Sequence, residues 1–195
     1  MRETHLLDSY SVSGVDIDAS YRMPLDRVFS GAGGSLTLRG LATHYIENRF
    51  DSGVPGTVVL NTAGVNGGQA GTPDWIYRFS AAYDSDSFSL TAIGRGVSAG
   101  KYVANGIECQ TNCPVSTVNA PTYERNRVSG AFYVDLNATV KFEALGRGDG
   151  EFFLNVSNVF NAKPILLPET GLAANSTYSD LLGRAFRAGV RLKLR

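Results

Sequence analysis

The run from Gly183 to Arg195 constrains the fold more than any other part of the chain. Successive side chains of a strand point to opposite faces, and this run divides cleanly in two. Phe186, Ala188, Val190, Leu192 and Leu194 fall on one side, and Arg187, Gly189, Arg191, Lys193 and Arg195 on the other. Four cations on one strand face are hard to place in a small soluble core. The division suits a wall with hydrocarbon on one side and water on the other. The run is also long enough, since ~9–11 tilted residues cross a bilayer.

The same period recurs upstream. From Ser13 to Met23, Val15, Ile17, Ala19, Tyr21 and Met23 oppose Asp16, Asp18, Ser20 and Arg22. Ser35 to Glu47 sets Leu36, Leu38, Gly40, Ala42 and Ile46 against Thr37, Arg39, Thr43 and Tyr45, with Leu41 and His44 each on the wrong side. Asp74 to Tyr83 gathers Trp75, Tyr77, Phe79, Ala81 and Tyr83 into an aromatic face of the kind found at membrane interfaces. Phe88 to Arg95 places Phe88, Leu90, Ala92 and Gly94 opposite Ser89, Thr91, Ile93 and Arg95.

The longest alternation runs from Val128 to Phe142, with Val128, Gly130, Phe132, Val134, Leu136, Ala138, Val140 and Phe142 on its apolar side. It exceeds the ~5–6 residues of an ordinary globular strand. Glu151 to Phe160 completes the set of seven predicted strands. The connections at 24–34, 84–87 and 143–150 are short, the last built on Gly146-Arg147-Gly148-Asp149-Gly150. Those at 48–73, 99–126 and 161–182 are long. Outer-membrane barrels alternate short periplasmic turns with long extracellular loops in this way. The expected fold is therefore all-β, an antiparallel up-and-down meander of about seven long strands, open if it stands alone.

Composition narrows the function. Lys and Arg number 18 and Asp and Glu 18, so no electrostatic case exists for a nucleic-acid partner. No apolar run approaches the ~18 residues of a membrane helix. No Gly-x-Ser-x-Gly elbow, His-Glu-x-x-His or phosphate-cradling loop is present, so neither an enzyme nor a bound cofactor is expected. Asp180 and the two histidines, His5 and His44, have no spacing that argues for a triad or a metal site. Asp16, Asp18, Arg22, Arg39, Arg78, Arg95, Asp135 and Lys141 fall on the wet side of the expected wall. Mutual pairing accounts for them more simply than a substrate path.

Three motifs, in order along nearly the whole chain, carry a family resemblance. Gly14-Val15-Asp16-Ile17 with Tyr21-Arg22 comes first, then Phe153-Leu154-Asn155-Val156-Ser157-Asn158-Val159-Phe160-Asn161-Ala162-Lys163-Pro164, then Gly183-Arg184-Ala185-Phe186. Together they resemble the carboxy-terminal strands of TonB-dependent outer-membrane receptors, gated transporters for siderophores, cobalamin and sugars. The resemblance implies that residues 1–195 are a partial receptor barrel domain, the last seven strands of a 22-stranded barrel. It places the plug domain and the TonB-contacting segment outside this sequence.

It also implies a Gram-negative cell outer membrane as location and import of a scarce ligand as the parent's function. The expected partners are outer-membrane lipid and the barrel-assembly machinery, with TonB reached only through the missing amino-terminal part. The assembly signal maps to Arg187, Gly189, Leu192 and Leu194. The family usually ends on an aromatic residue, whereas this chain ends Leu194-Arg195, which predicts less efficient assembly. Met1 to Asp8 lacks the apolar core of a secretory signal, so the natural start is expected upstream.

An oxidising export route favours a loop-stapling disulfide between Cys109 and Cys113, with two free thiols as the alternative. Two rival readings are a small free-standing barrel of structural or adhesive role, closed by an eighth strand at His5–Tyr10, and a soluble β-sandwich binding module.

Overall fold

The computed structural model describes residues 8–27, 33–67, 72–144, 148–167, 170–174 and 178–194. Seven long strands form one antiparallel sheet: β1 (Ser9–Pro24), β2 (Ser35–Asp51), β3 (Trp75–Asp84), β4 (Phe88–Val97), β9 (Ala131–Ala144), β10 (Gly148–Ser157) and β11 (Ala185–Leu194). Four two-residue strands lie in the second long connection. β5 (Gly100–Lys101) pairs with β8 (Arg127–Val128), and β6 (Ile107–Glu108) with β7 (Thr122–Tyr123). The sheet order is β1-β2-β3-β4-β9-β10-β11, so each long strand pairs with its neighbour in sequence. The sheet is open, with β1 and β11 as its edges. A 3-10 turn at Leu25–Arg27 follows β1.

Register turns the alternation of single strands into rows across the whole sheet. Tyr21, Leu38, Ala81, Ala92, Leu136, Val156 and Phe186 stand in one such row. Met23, Leu36, Tyr83, Leu90, Ala138, Leu154 and Ala188 form the next. Each row is apolar in every strand, because antiparallel partners share a face. Small residues sit beneath large ones along it. The Phe132 ring covers Gly94, Phe142 covers Gly150 and Phe79 lies against Gly40. A ring over a glycine gives the bare backbone a partner and keeps the row filled.

This apolar face has no layer packed on it among the described residues. Tyr21 is 63%, Phe79 53%, Phe186 67% and Val190 59% exposed. The buried apolar residues instead gather at the end of the sheet that carries the long connections. They are Val65, Val97, Val103, Val128, Tyr133, Leu167 and Ala174. A β-sandwich would bury the sheet face under a second sheet, but the only other described sheets are the two-stranded pairs β5-β8 and β6-β7.

Several boundaries differ from the sequence reading. β1 starts at Ser9 and β2 runs to Asp51, because the two strands keep pairing beyond the alternating region. The register shifts there: Ser13 pairs with Glu47 and Gly14 with Tyr45, leaving Ile46 as the extra residue of a bulge. Ser9 and Tyr10 of the proposed eighth strand belong to β1, while residues 5–7 lie outside the described residues. Val128 does not extend the longest strand. It belongs to β8, turns away from the sheet and is buried against Leu167 and Ala174. Gly148–Gly150 are strand rather than turn, and Gly146 and Arg147 lie outside the described residues. Phe160 lies beyond the end of β10 in a turn, 75% exposed.

Candidate functional site on the polar face

The second face of the sheet is polar, and its charges are largely matched to one another. Arg39 donates to both carboxylate oxygens of Asp18, at 3.1 and 2.7 Å. The Thr43 hydroxyl donates to Asp16 at 2.6 Å, and the Arg22 guanidinium to the Ser35 hydroxyl at 3.0 Å. Arg191 pairs with Glu151 at 2.8 Å, directly across β10 and β11. Lys141 Nζ donates to the Ser85 carbonyl at 3.3 Å. Pairs this exposed are screened by water and hold register more than they add stability. Of the wall charges picked out in sequence, Arg78 is the exception. Among the described residues it has no hydrogen-bond or ion-pair partner, and it stands directly opposite Arg95.

Arg95 is the centre of a more buried network. Its Nε donates to Asp135 at 3.1 Å and its NH2 nitrogen to Asp180 at 3.5 Å, while its guanidinium lies 5.0 Å from the centroid of the Tyr133 ring. Asp180 belongs to the third long connection, so this contact draws that connection over the polar face. The other oxygen of Asp180 accepts from the backbone of Leu182 and Gly183, both at 3.1 Å. Tyr178, with Leu41, Thr43, Ile76, Arg78, Arg95 and Val97, lines a cavity of about 320 Å3. Burial, with a smaller contribution from neighbouring Tyr45, holds the Tyr178 phenol above the ordinary tyrosine range. The misplaced Leu41 of the sequence reading is thus part of this lining. Its counterpart His44 sits on the apolar face, stacked on Trp75 at 4.4 Å between ring centroids.

The two carboxy-terminal motifs meet in space. Asn158 is completely buried at a φ of 49°. Its backbone N–H donates to Asp135, and its side chain both donates to the Ala162 carbonyl at 2.9 Å and accepts the Ala162 N–H at 2.8 Å. Asn161, at a φ of 52°, accepts the Arg184 N–H on its side-chain oxygen at 3.0 Å. Gly183 passes close to that same oxygen at a φ of 74°, where any other residue is strained. Asn158 therefore closes the exit of β10 and Asn161 fixes the entry of β11.

Buried asparagines fasten the other long connections, a role the alternation could not reveal. Asn126 accepts the Val103 N–H and donates to the Val103 and Gly106 carbonyls. Asn48 donates to Thr72 at 2.7 Å, and Asn66 to the Ser98 carbonyl at 2.8 Å. Among the described residues, two buried polar atoms, Asn66 Oδ1 and the Tyr133 hydroxyl, have no protein partner.

Cys109 and Cys113 are bonded as a disulfide, their Cα atoms 5.5 Å apart in an exposed part of the second connection. Of the assembly-signal residues, Arg187 and Leu192 are exposed on opposite faces of β11, Gly189 lies beneath the Phe153 ring, and Leu194 pairs in register with Gly148. Among the described residues, no group of three or more His, Cys, Asp and Glu could hold a metal ion. A scan against protein-family models, a search of curated proteins and a search of solved structures each found no match.

Proposed function

We propose that this chain is the carboxy-terminal segment of a TonB-dependent outer-membrane receptor barrel, whose parent imports a scarce ligand of the siderophore, cobalamin or sugar class. One observation carries the reading. A seven-stranded meander presents unbroken apolar rows on one face and an ion-paired polar surface on the other, with no layer over the apolar face among the described residues. In water that face is a severe association hazard; against acyl chains it is the ordinary exterior of a barrel. On β1 the apolar stretch Val15–Met23 matches the ~9–11 residues of a tilted span. Aromatic residues flank it, with Trp75 and Tyr77 toward the long connections and Tyr83 and Phe88 toward the short ones. Such residues suit the two interfaces of a bilayer.

Strand direction supports a segment of a larger barrel. Seven strands in antiparallel order leave the edges β1 and β11 running the same way. Closing the sheet with antiparallel pairs throughout takes an odd number of further strands. The receptor family supplies fifteen if the barrel has roughly 22 strands in all. In that frame the polar face lines the lumen, and the connection bearing Tyr178 and Asp180 folds inward over it.

The test is to read the DNA upstream of the codon for Met1. The expected result is an in-frame plug and further alternating strands, odd in number. A stop codon preceded by unrelated sequence would overturn the reading for this product.

A further inference from the structure

Several of the breaks in alternation on the polar face fall at one place, apart from Ile93 and Phe153. Leu41 stands opposite Arg78, and Thr43 opposite Ile76; Arg78 faces Arg95, and Ile76 faces Val97. Three aliphatic side chains, Leu41, Ile76 and Val97, thus meet at one place on a mainly polar face, and Tyr178 lines the same cavity. Arg78, an exposed residue, and Arg95 line the same cavity. Arg95 is already matched by Asp135 and Asp180. Arg78 is not matched among the described residues, and like charges directly opposite one another on neighbouring strands repel. An apolar and aromatic lining with one uncompensated cation fits an amphiphilic anion. The volume, about 320 Å3, lies at the small end of the ~300–1,000 Å3 of ligand pockets.

We infer that this cavity binds a small carboxylate with an apolar body, the carboxylate on Arg78 and the body against Leu41, Ile76, Val97 and Tyr178. A planar guanidinium is well shaped for a bidentate carboxylate. Bound there, the anion also relieves the repulsion between Arg78 and Arg95. The site rests on the cavity alone and does not depend on what lies against the other face of the sheet.

The probe is benzoate, titrated by calorimetry into the full chain folded in non-ionic detergent, with benzyl alcohol, acetate and inorganic phosphate as comparisons. Saturable benzoate binding is expected, with acetate and benzyl alcohol each weaker by about tenfold or more, since each lacks one half of the recognition. Arg78→Gln should weaken benzoate by about tenfold and Arg78→Lys by less, because a lysine keeps the charge but loses the fork. Arg78→Gln also removes a like-charge contact, so the unliganded variant should be as stable as the parent chain or more so. Tyr178→Ala leaves every sheet residue intact and should weaken benzoate through loss of the aromatic lining.

Absence of saturable binding, or benzoate affinity unchanged in both variants, would overturn the inference. Phosphate or acetate binding as tightly as benzoate would overturn the apolar half of it. An acidic peptide binding through Arg78 where benzoate does not would replace it with a polypeptide occupant. Failure of membrane insertion leaves this titration readable, so the two proposals fail separately.

Discussion

Asn158 shows how much of this fold depends on single side chains outside the alternating pattern. It is fully buried, sits in the left-handed region and satisfies both backbone groups of Ala162. Asn158→Ala strands those groups and keeps a Cβ at positive φ, so it should cost about 2–4 kcal/mol, read from the urea midpoint of the detergent-folded chain. Asn158→Gly removes the backbone strain but not the unpaired groups, and should fall between the two. A cost below about 0.5 kcal/mol for the alanine variant would contradict the assignment. The glycines beneath aromatic rings offer a second contrast. A Cβ at Gly96 would meet the Ala131 carbonyl oxygen at 2.5 Å, which is backbone, whereas at Gly94 it meets the Phe132 ring tip at 2.8 Å. Rings move more readily than a paired strand, so Gly96→Ala should lower the thermal midpoint more than Gly94→Ala. The reverse order would show that the β4–β9 contact is looser than described.

At the scale of elements, the third long connection is held by the Val128–Leu167–Ala174 cluster and, toward β11, by two polar contacts. Arg95 takes Asp180, and Asn161 takes the backbone of Arg184 at the entry to β11. Asn161→Ala should speed amide exchange through Ala185–Leu194 while leaving β2 and β3 unchanged, because β11 is an edge strand with one paired neighbour. Uniform acceleration across the sheet would contradict this local role. Asp180→Asn should make residues 170–183 the first site of limited proteolysis, and an unchanged cleavage pattern would argue that the Arg95 contact does not hold the connection down. The same elements mark what could be read from sequence. Period two located all seven strands, since successive side chains of a strand point to opposite faces of the sheet, as in Phe186 to Leu192. It misplaced Val128, whose parity fits β9 although its burial comes from Leu167 and Ala174, distant in sequence. It stopped short of Ser9 and Asp51 because the bulge at Ser13/Gly14 changes which residues share a face. The cavity was visible only as Leu41, a break in the pattern of its strand, whose register partner Arg78 was correctly placed on the polar side. Tyr178 gave no signal, because its place follows from how a long connection folds.

For the whole molecule, the central claim is that one face of the sheet meets hydrocarbon and the other water. The distribution of burial is compatible with that division: the packed core lies among the long connections, while the apolar face of the sheet stays uncovered among the described residues. β9 is the strand on which to test it, being paired on both sides by β4 and β10. Cys109 and Cys113 are already bonded to each other, so a single introduced thiol can be labelled alone. Spin labels placed one at a time from Phe132 to Val140, with the chain reconstituted in lipid vesicles, would be read for collisions with oxygen and with a water-soluble nickel chelate. The account predicts two opposed period-two profiles. Labels at Phe132, Val134, Leu136, Ala138 and Val140 should collide with oxygen, and those at Asp135, Asn137 and Thr139 with the chelate, Tyr133 being left unlabelled because it is buried under the long connections. Equal chelate access at every position, or a chain that stays in the aqueous phase, would contradict it.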